Sequence, residues 1–106
     1  MKIFGLWRKE RLMENKIAKA SCGTMESSDA YMELEPVAGA TQIELQSVVE
    51  HQFGESIRAL AAQMLAEEGI ENVRLSIIDR GALECTLRAR LETLIGRARE
   101  GGSAHA

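Results

Sequence analysis

The feature that most constrains this chain is an apolar stripe beginning soon after Ser47. Val49, Phe53, Ile57, Leu60, Ala61, Met64 and Leu65 recur at steps of three and four before Gly69 interrupts them. That spacing predicts one amphipathic helix, started by a Ser47/Glu50 capping box and ended by the glycine. A helix of this kind must lay its stripe on another apolar surface. Alternating segments on either side of it predict that the surface is a sheet. Truncating Phe53 at the centre of such an interface is expected to cost about 3 to 5 kcal/mol.

Before the helix, Met32 and Leu34 alternate with Tyr31, Glu33 and Glu35, and Ile43 and Leu45 alternate with Gln42, Glu44 and Gln46. Each pattern is that of a strand with one buried face. Pro36 to Ala40 supplies turn chemistry between them, so the pair reads as a hairpin. After the helix, Val73, Leu75 and Ile77 alternate with Arg74, Ser76 and Ile78, and Asp79-Arg80-Gly81 turns the chain. A second helix follows from about Ala82, with Leu83, Leu87, Leu91, Leu94, Ile95 and Ala98 on one stripe and Glu84 and Arg88 paired on the other side. The expected fold is α+β: a two-layer β-β-α-β-α sandwich whose three-stranded antiparallel sheet, in order 2-1-3, carries both helices on one face. Arg88, Arg90, Arg97 and Arg99 are expected to form a solvated face; the alternative is that they hold a phosphate or an acidic partner.

With 106 residues the chain forms one domain with a modest core, too small for an enclosed active site with a lid. A formal charge of −3 lacks the basic footprint of a nucleic-acid binder. No apolar run approaches the roughly 20 residues needed to span a membrane. Lys2, Arg8, Lys9, Arg11, Lys16 and Lys19 crowd the start, leaving the rest more acidic than the total suggests. Residues 1–20 therefore read as a flexible basic extension, 21–99 as the folded domain, and 100–106 as a disordered tail. The apolar cluster Ile3, Phe4, Leu6 and Trp7 precedes its charges, unlike a secretory signal. Cytoplasmic location and two free thiols, Cys22 and Cys85, are the corresponding expectations. No metal-ligand spacing surrounds them.

Residues 22–29, Cys-Gly-Thr-Met-Glu-Ser-Ser-Asp, form a polar run with three hydroxyls, the composition of an exposed turn able to meet a partner. This run, with His51-Gln52-Phe53-Gly54-Glu55-Ser56-Ile57-Arg58 and the stretch from Asp79-Arg80-Gly81-Ala82-Leu83-Glu84-Cys85 to Glu92, resembles the acyl carrier protein, or gamma subunit, of citrate lyase. The resemblance runs from about Met13 to about Arg99, which suggests Met13 as an alternative start.

The resemblance implies a non-catalytic carrier subunit. It places a covalently attached phosphoribosyl dephospho-coenzyme A, in phosphodiester linkage, on Ser27 of the Gly-Thr-x-Glu-Ser pattern, with Ser28 as the competing hydroxyl. The implied partners are a prosthetic-group transferase, the alpha subunit that exchanges acetate for citrate on the carrier, and the beta subunit that releases oxaloacetate. Glu26 and Asp29 are expected to aid docking through charge steering. Two alternatives stay open: the related carrier of malonate decarboxylase, and a small hydrolase with Ser27 as nucleophile. The latter would need a base, and the chain has only His51, near a helix start, and His105 in the tail.

Overall fold

The computed structural model describes residues 17–101, excepting Val49 and the side chains of Glu50 and His51. Most of the expected extension (1–16) and the end of the expected tail (102–106) lie outside the described residues. The elements are β1 (Ala20–Gly23), β2 (Ala30–Pro36), β3 (Gln42–Ser47), α1 (Glu50–Glu67), β4 (Val73–Asp79) and α2 (Glu84–Arg99). Ile17, placed in the extension by composition, packs against the core, and the Ala18 amide donates to the carbonyl of Ala98.

The α+β class and the single helical layer stand, but the sheet is four-stranded and mixed, in order β1-β2-β4-β3, not three-stranded and antiparallel. Two things account for the difference. The first is β1, which takes up residues expected to belong to a loop and pairs antiparallel with β2. The second is β3, which forms no hairpin with β2 and lies parallel to β4 on its far side. The helix α1 is the crossover that a parallel pair requires. Residues 37–41 carry the chain past the start of β4, held there by Asn72. Its carbonyl accepts from the Val37 amide (2.9 Å), its amide donates to Thr41 Oγ1 (3.0 Å), and its side-chain nitrogen donates to the Gly39 carbonyl.

The alternation places one rung of side chains after another on the covered face. Cys22, Met32, Ile77 and Leu45 form one row across the four strands, and Ala20, Leu34, Leu75 and Ile43 the next. α2 packs on β1 and β2 through Leu87, Leu91, Leu94, Ile95 and Ala98, while α1 packs beside β3. The stripe of α1 is buried at Ile57, Leu60, Ala61, Met64 and Leu65, but Phe53 is 52% exposed. Gly54 is the residue buried one turn before Ile57, so the ring sits at the flank of the interface and not at its centre. α1 ends as its glycine predicts. Gly69, at φ +68°, donates to Ala66 and Ile70 donates back to Leu65, which satisfies two free carbonyls and seats Ile70 in the core.

The opposite face is open and polar, carrying a Tyr31–Glu33 hydrogen bond (2.8 Å) and an Arg74–Glu35 ion pair (2.9 Å). β2 begins at the end of the sheet where β3 and β4 finish, since Ala30 and Ser47 both pair with Asp79. The loop joining β1 to β2 and the starts of both helices therefore share that end.

Candidate functional site

The polar run is half strand and half turn. Gly23 closes β1 at φ +90°, where an added Cβ would lie 1.8 Å from the carbonyl oxygen of Ala30, so only glycine allows the strands to approach here. Residues 24–29 then form a turn with a fixed base. Thr24 Oγ1 donates to Asp29 Oδ2 (2.7 Å) and accepts from the Glu26 amide (3.2 Å), while Asp29 Oδ1 accepts from the Ala30 amide (2.7 Å). The Asp29 amide returns to the Glu26 carbonyl (3.2 Å), leaving Ser27 and Ser28 as the two central residues of a tight turn.

Two arginines hold this turn from below. Arg90 of α2 grips Asp29 in a bidentate pair, Nε to Oδ1 at 2.9 Å and Nη2 to Oδ2 at 2.7 Å. The guanidinium and then the Thr24 hydroxyl hold the Asp29 carboxyl well below the usual carboxylate range, and the same pair raises Arg90. Arg80 exchanges backbone bonds with the loop, accepting from the Ser28 amide (2.8 Å) and donating to the Asp29 carbonyl (2.9 Å). Its side chain donates to the Met25 carbonyl (3.1 Å).

Within this frame Ser27 is exposed, and its hydroxyl makes no hydrogen bond among the described residues. Glu26 is also exposed. Ser28 is exposed but sits at φ +65°, a left-handed conformation that favours glycine. Ser27 and Ser28 thus differ in backbone: one is at an unstrained apex, the other at a strained position tied to Arg80. Asp29, expected to face a partner, has both oxygens engaged inside the protein.

Of the arginines read as a solvated face, Arg88 and Arg99 are exposed, with Arg88 in the expected pair with Glu84, whereas Arg90 and Arg97 turn inward. Arg90 holds Asp29, Arg97 donates to the Ser21 carbonyl (2.9 Å), Arg99 pairs with Glu68 (2.5 Å) and Arg88 with Glu84 (3.2 Å). Arg90 stands one turn after buried Leu87, at the flank of the stripe, and that position was the only sign that it could turn inward. Beneath the turn, Cys22 is buried and its thiol donates to the Arg90 carbonyl (3.0 Å), with burial pushing its pKa up. Cys85 is exposed, and both cysteines are free.

Asp79 also went unrecognised beyond a turn. It is buried, accepting from Ser47 Oγ (2.7 Å) and the Ala82 amide (2.9 Å), while its carbonyl accepts from the Val48 amide (3.2 Å). It ties the ends of β3 and β4 to the approach of α2. The Ser47 hydroxyl, expected to cap α1, is bonded to this carboxylate.

Among the described residues there is no cluster of three or more potential metal ligands, and no helix is long and apolar enough to cross a membrane.

The structure is a two-layer domain with an exposed hydroxyl on a pinned turn, and similarity to known proteins supplies the class, that of acyl carrier proteins. Residues 17–98 match the family described as "ACP: Malonate decarboxylase delta subunit (MdcD)". The citrate lyase acyl carrier protein of Lacticaseibacillus casei (strain BL23) is 47% identical over 79 residues, covering 74% of this chain and 78% of that protein. That of Serratia proteamaculans (strain 568) is 44% identical over 87 residues, covering 81% and 85%. A chain in the crystal structure of a Pseudomonas malonate decarboxylase hetero-tetramer in complex with malonate matches with a TM-score of 0.64 and 25% identity, over 76% of this chain and 84% of that one. The chain belongs to the citrate lyase acyl carrier protein family.

Proposed function

We propose that this protein is the acyl carrier subunit of citrate lyase and that Ser27 bears its phosphoribosyl dephospho-coenzyme A. The observation that supports the site is the free, exposed hydroxyl of Ser27 at the apex of a turn whose base is pinned by Arg90 and Arg80. A separate transferase can reach such a hydroxyl and supply the base, so no general base is needed beside it. The exposed position also leaves room for a bulky phosphodiester, with the Arg80 guanidinium on the neighbouring backbone to offset its charge.

When bound, the group supplies a terminal thiol that carries acetyl and citryl groups as thioesters between the alpha and beta subunits. This chain's own part is to hold the attachment point out from the body and to confine the arm, which raises the effective concentration of its cargo at partner sites. The histidines a hydrolase would call on, His51 and His105, have side chains outside the described residues, and it is the carrier names of the relatives that favour a carrier over a hydrolase. Greater identity to citrate lyase carriers than to the malonate decarboxylase chain supports the first assignment over the second.

Intact-mass and fragment analysis of the full chain with its native modifying enzymes tests the site. The expected mass increase maps to Ser27, disappears in Ser27→Ala and persists in Ser28→Gly, whose backbone suits φ +65°. Loss in Ser28→Gly with retention in Ser27→Ala would move the site by one residue. An unmodified chain, with the enzymes active on a control carrier, would refute the assignment.

Docking is assigned to the exposed carboxylate of Glu26, with Asp29 contributing through the shape it imposes on the turn. Glu26→Lys is expected to slow modification at low salt and to approach the wild-type rate at high salt, where steering is screened. Equal rates at low salt would remove Glu26 from the docking surface.

A further inference from the structure

Among the described residues, the large apolar side chains that remain exposed are Met25, Val48, Phe53 and Leu83. They are not scattered. Met25 lies in the serine turn, Val48 and Phe53 flank the start of α1, and Leu83 immediately precedes α2, so all four stand at the end of the sheet that carries Ser27. Two of them, Phe53 and Leu83, line a groove of about 300 Å³ between the helices, together with Ile57, Leu60, Ala82 and Leu87 and with Ser56 and Glu84 as its polar members.

A short stretch of chain links the groove to the serine turn. The Ser28 amide is 2.8 Å from the Arg80 carbonyl, and Ala82, the first lining residue on that side, is roughly 8 Å of chain beyond Arg80. Its volume lies at the low end for small-molecule sites and is too small to enclose a helix. Its walls are largely apolar, while Arg80, two residues before the lining Ala82, holds its cationic side chain on the Met25 carbonyl of the serine turn. An occupant matching that distribution is slender and largely uncharged, with anionic groups where it leaves the serine. A tethered occupant needs little intrinsic affinity, because a short flexible link sets its local concentration near millimolar.

We propose that this groove is the resting site of the prosthetic arm on Ser27, with the pantetheine segment and its thiol lying against Leu83, Phe53 and Leu87 and the phosphates remaining beside Arg80. The proposal rests on the carrier reading above. It gives the carrier a closed state in which the thiol is shielded, and an open state in which a partner's site competes for the arm.

The test is the rate at which iodoacetamide alkylates the arm thiol of the full modified chain, read by fragment mass so that Cys85 does not interfere. Free pantetheine is the reference, and Leu83→Lys and Phe53→Lys are the variants. Both replaced side chains are exposed, and circular dichroism checks that the variants remain folded. The wild-type thiol is expected to react about threefold or more slowly than free pantetheine, as it would if docked for two-thirds of the time, and both variants are expected to recover most of that difference. Cross-relaxation between pantetheine methyl groups and the methyl groups of Leu83 and Leu87 is expected in the wild type. Three outcomes overturn the proposal: a wild-type thiol as reactive as free pantetheine, protection that neither variant relieves, or variants that block subunit assembly while leaving alkylation unchanged. The last would make this end a partner surface. Absence of the arm from both Ser27 and Ser28 by mass would instead defeat the carrier assignment, and the two failures are told apart before any rate is measured.

Discussion

At the scale of single residues, the site depends on Asp29 more than on its serines. Its side chain is 13% exposed and meets Arg90, 36% exposed, in a two-pronged pair, so the interaction is neither fully solvated nor buried. Losing it in Asp29→Asn is expected to cost about 1 to 2 kcal/mol, the range for hydrogen bonds to a charged group discounted for partial exposure. The folded-state pKa is depressed, so the stabilisation is fully present above the unfolded value near 4 and is lost as pH falls below it. Urea midpoints of wild type and Asp29→Asn should thus differ by a constant amount from about pH 7 to 5 and converge at lower pH. A difference that does not change down to about pH 2 would mean that Asp29 holds the turn through its shape and not through its charge. The three hydroxyls and the acids of the run were legible in the sequence, and so was its tendency to turn. Which acid would be committed inward was not, because the cation that claims Asp29 lies sixty-one positions away on α2.

At the scale of elements, the two helices follow their stripes, but the ends of the stripes mislead. Phe53 obeys the same spacing as Ile57, yet it is half-exposed because Gly54 faces inward at that turn. Phe53→Ala is therefore expected to cost about 1 kcal/mol or less, well below the cost read from spacing alone. Leu94→Ala, in the fully buried centre of α2, is expected to cost about 2 to 5 kcal/mol. Chemical denaturation of both variants checks the contrast, and comparable losses would put Phe53 back in the core. The strand pairing shows the same limit. Alternation in β2, β3 and β4 was visible, and so was the face each would bury. The four residues of β1 are too short and too polar to alternate convincingly, and a five-residue link after Pro36 looks alike whether it closes a hairpin or crosses to a parallel partner.

At the scale of the whole molecule, Cys22 and Cys85 report how firmly the layers hold together. Cys22 faces the core from the edge strand beneath the serine turn, and burial disfavours its thiolate, whereas Cys85 is exposed. In the unmodified chain a thiol reagent is expected to label Cys85 readily and Cys22 at least about a hundredfold more slowly, through opening of the edge strand. Equal labelling would show that β1 does not hold the base of the turn. By itself the sequence determined the α+β class, the single covered face of the sheet, the course of both helices and the run in which the serine lies, because these depend on periodicity and turn chemistry within short windows. Only the tertiary structure decided that β3 runs parallel to β4, that β1 exists, that Arg90 and Arg80 brace the turn and that Phe53 and Leu83 line one groove. Those features are contacts between residues distant in the chain, and no local pattern encodes which distant partner a strand edge or a guanidinium will find.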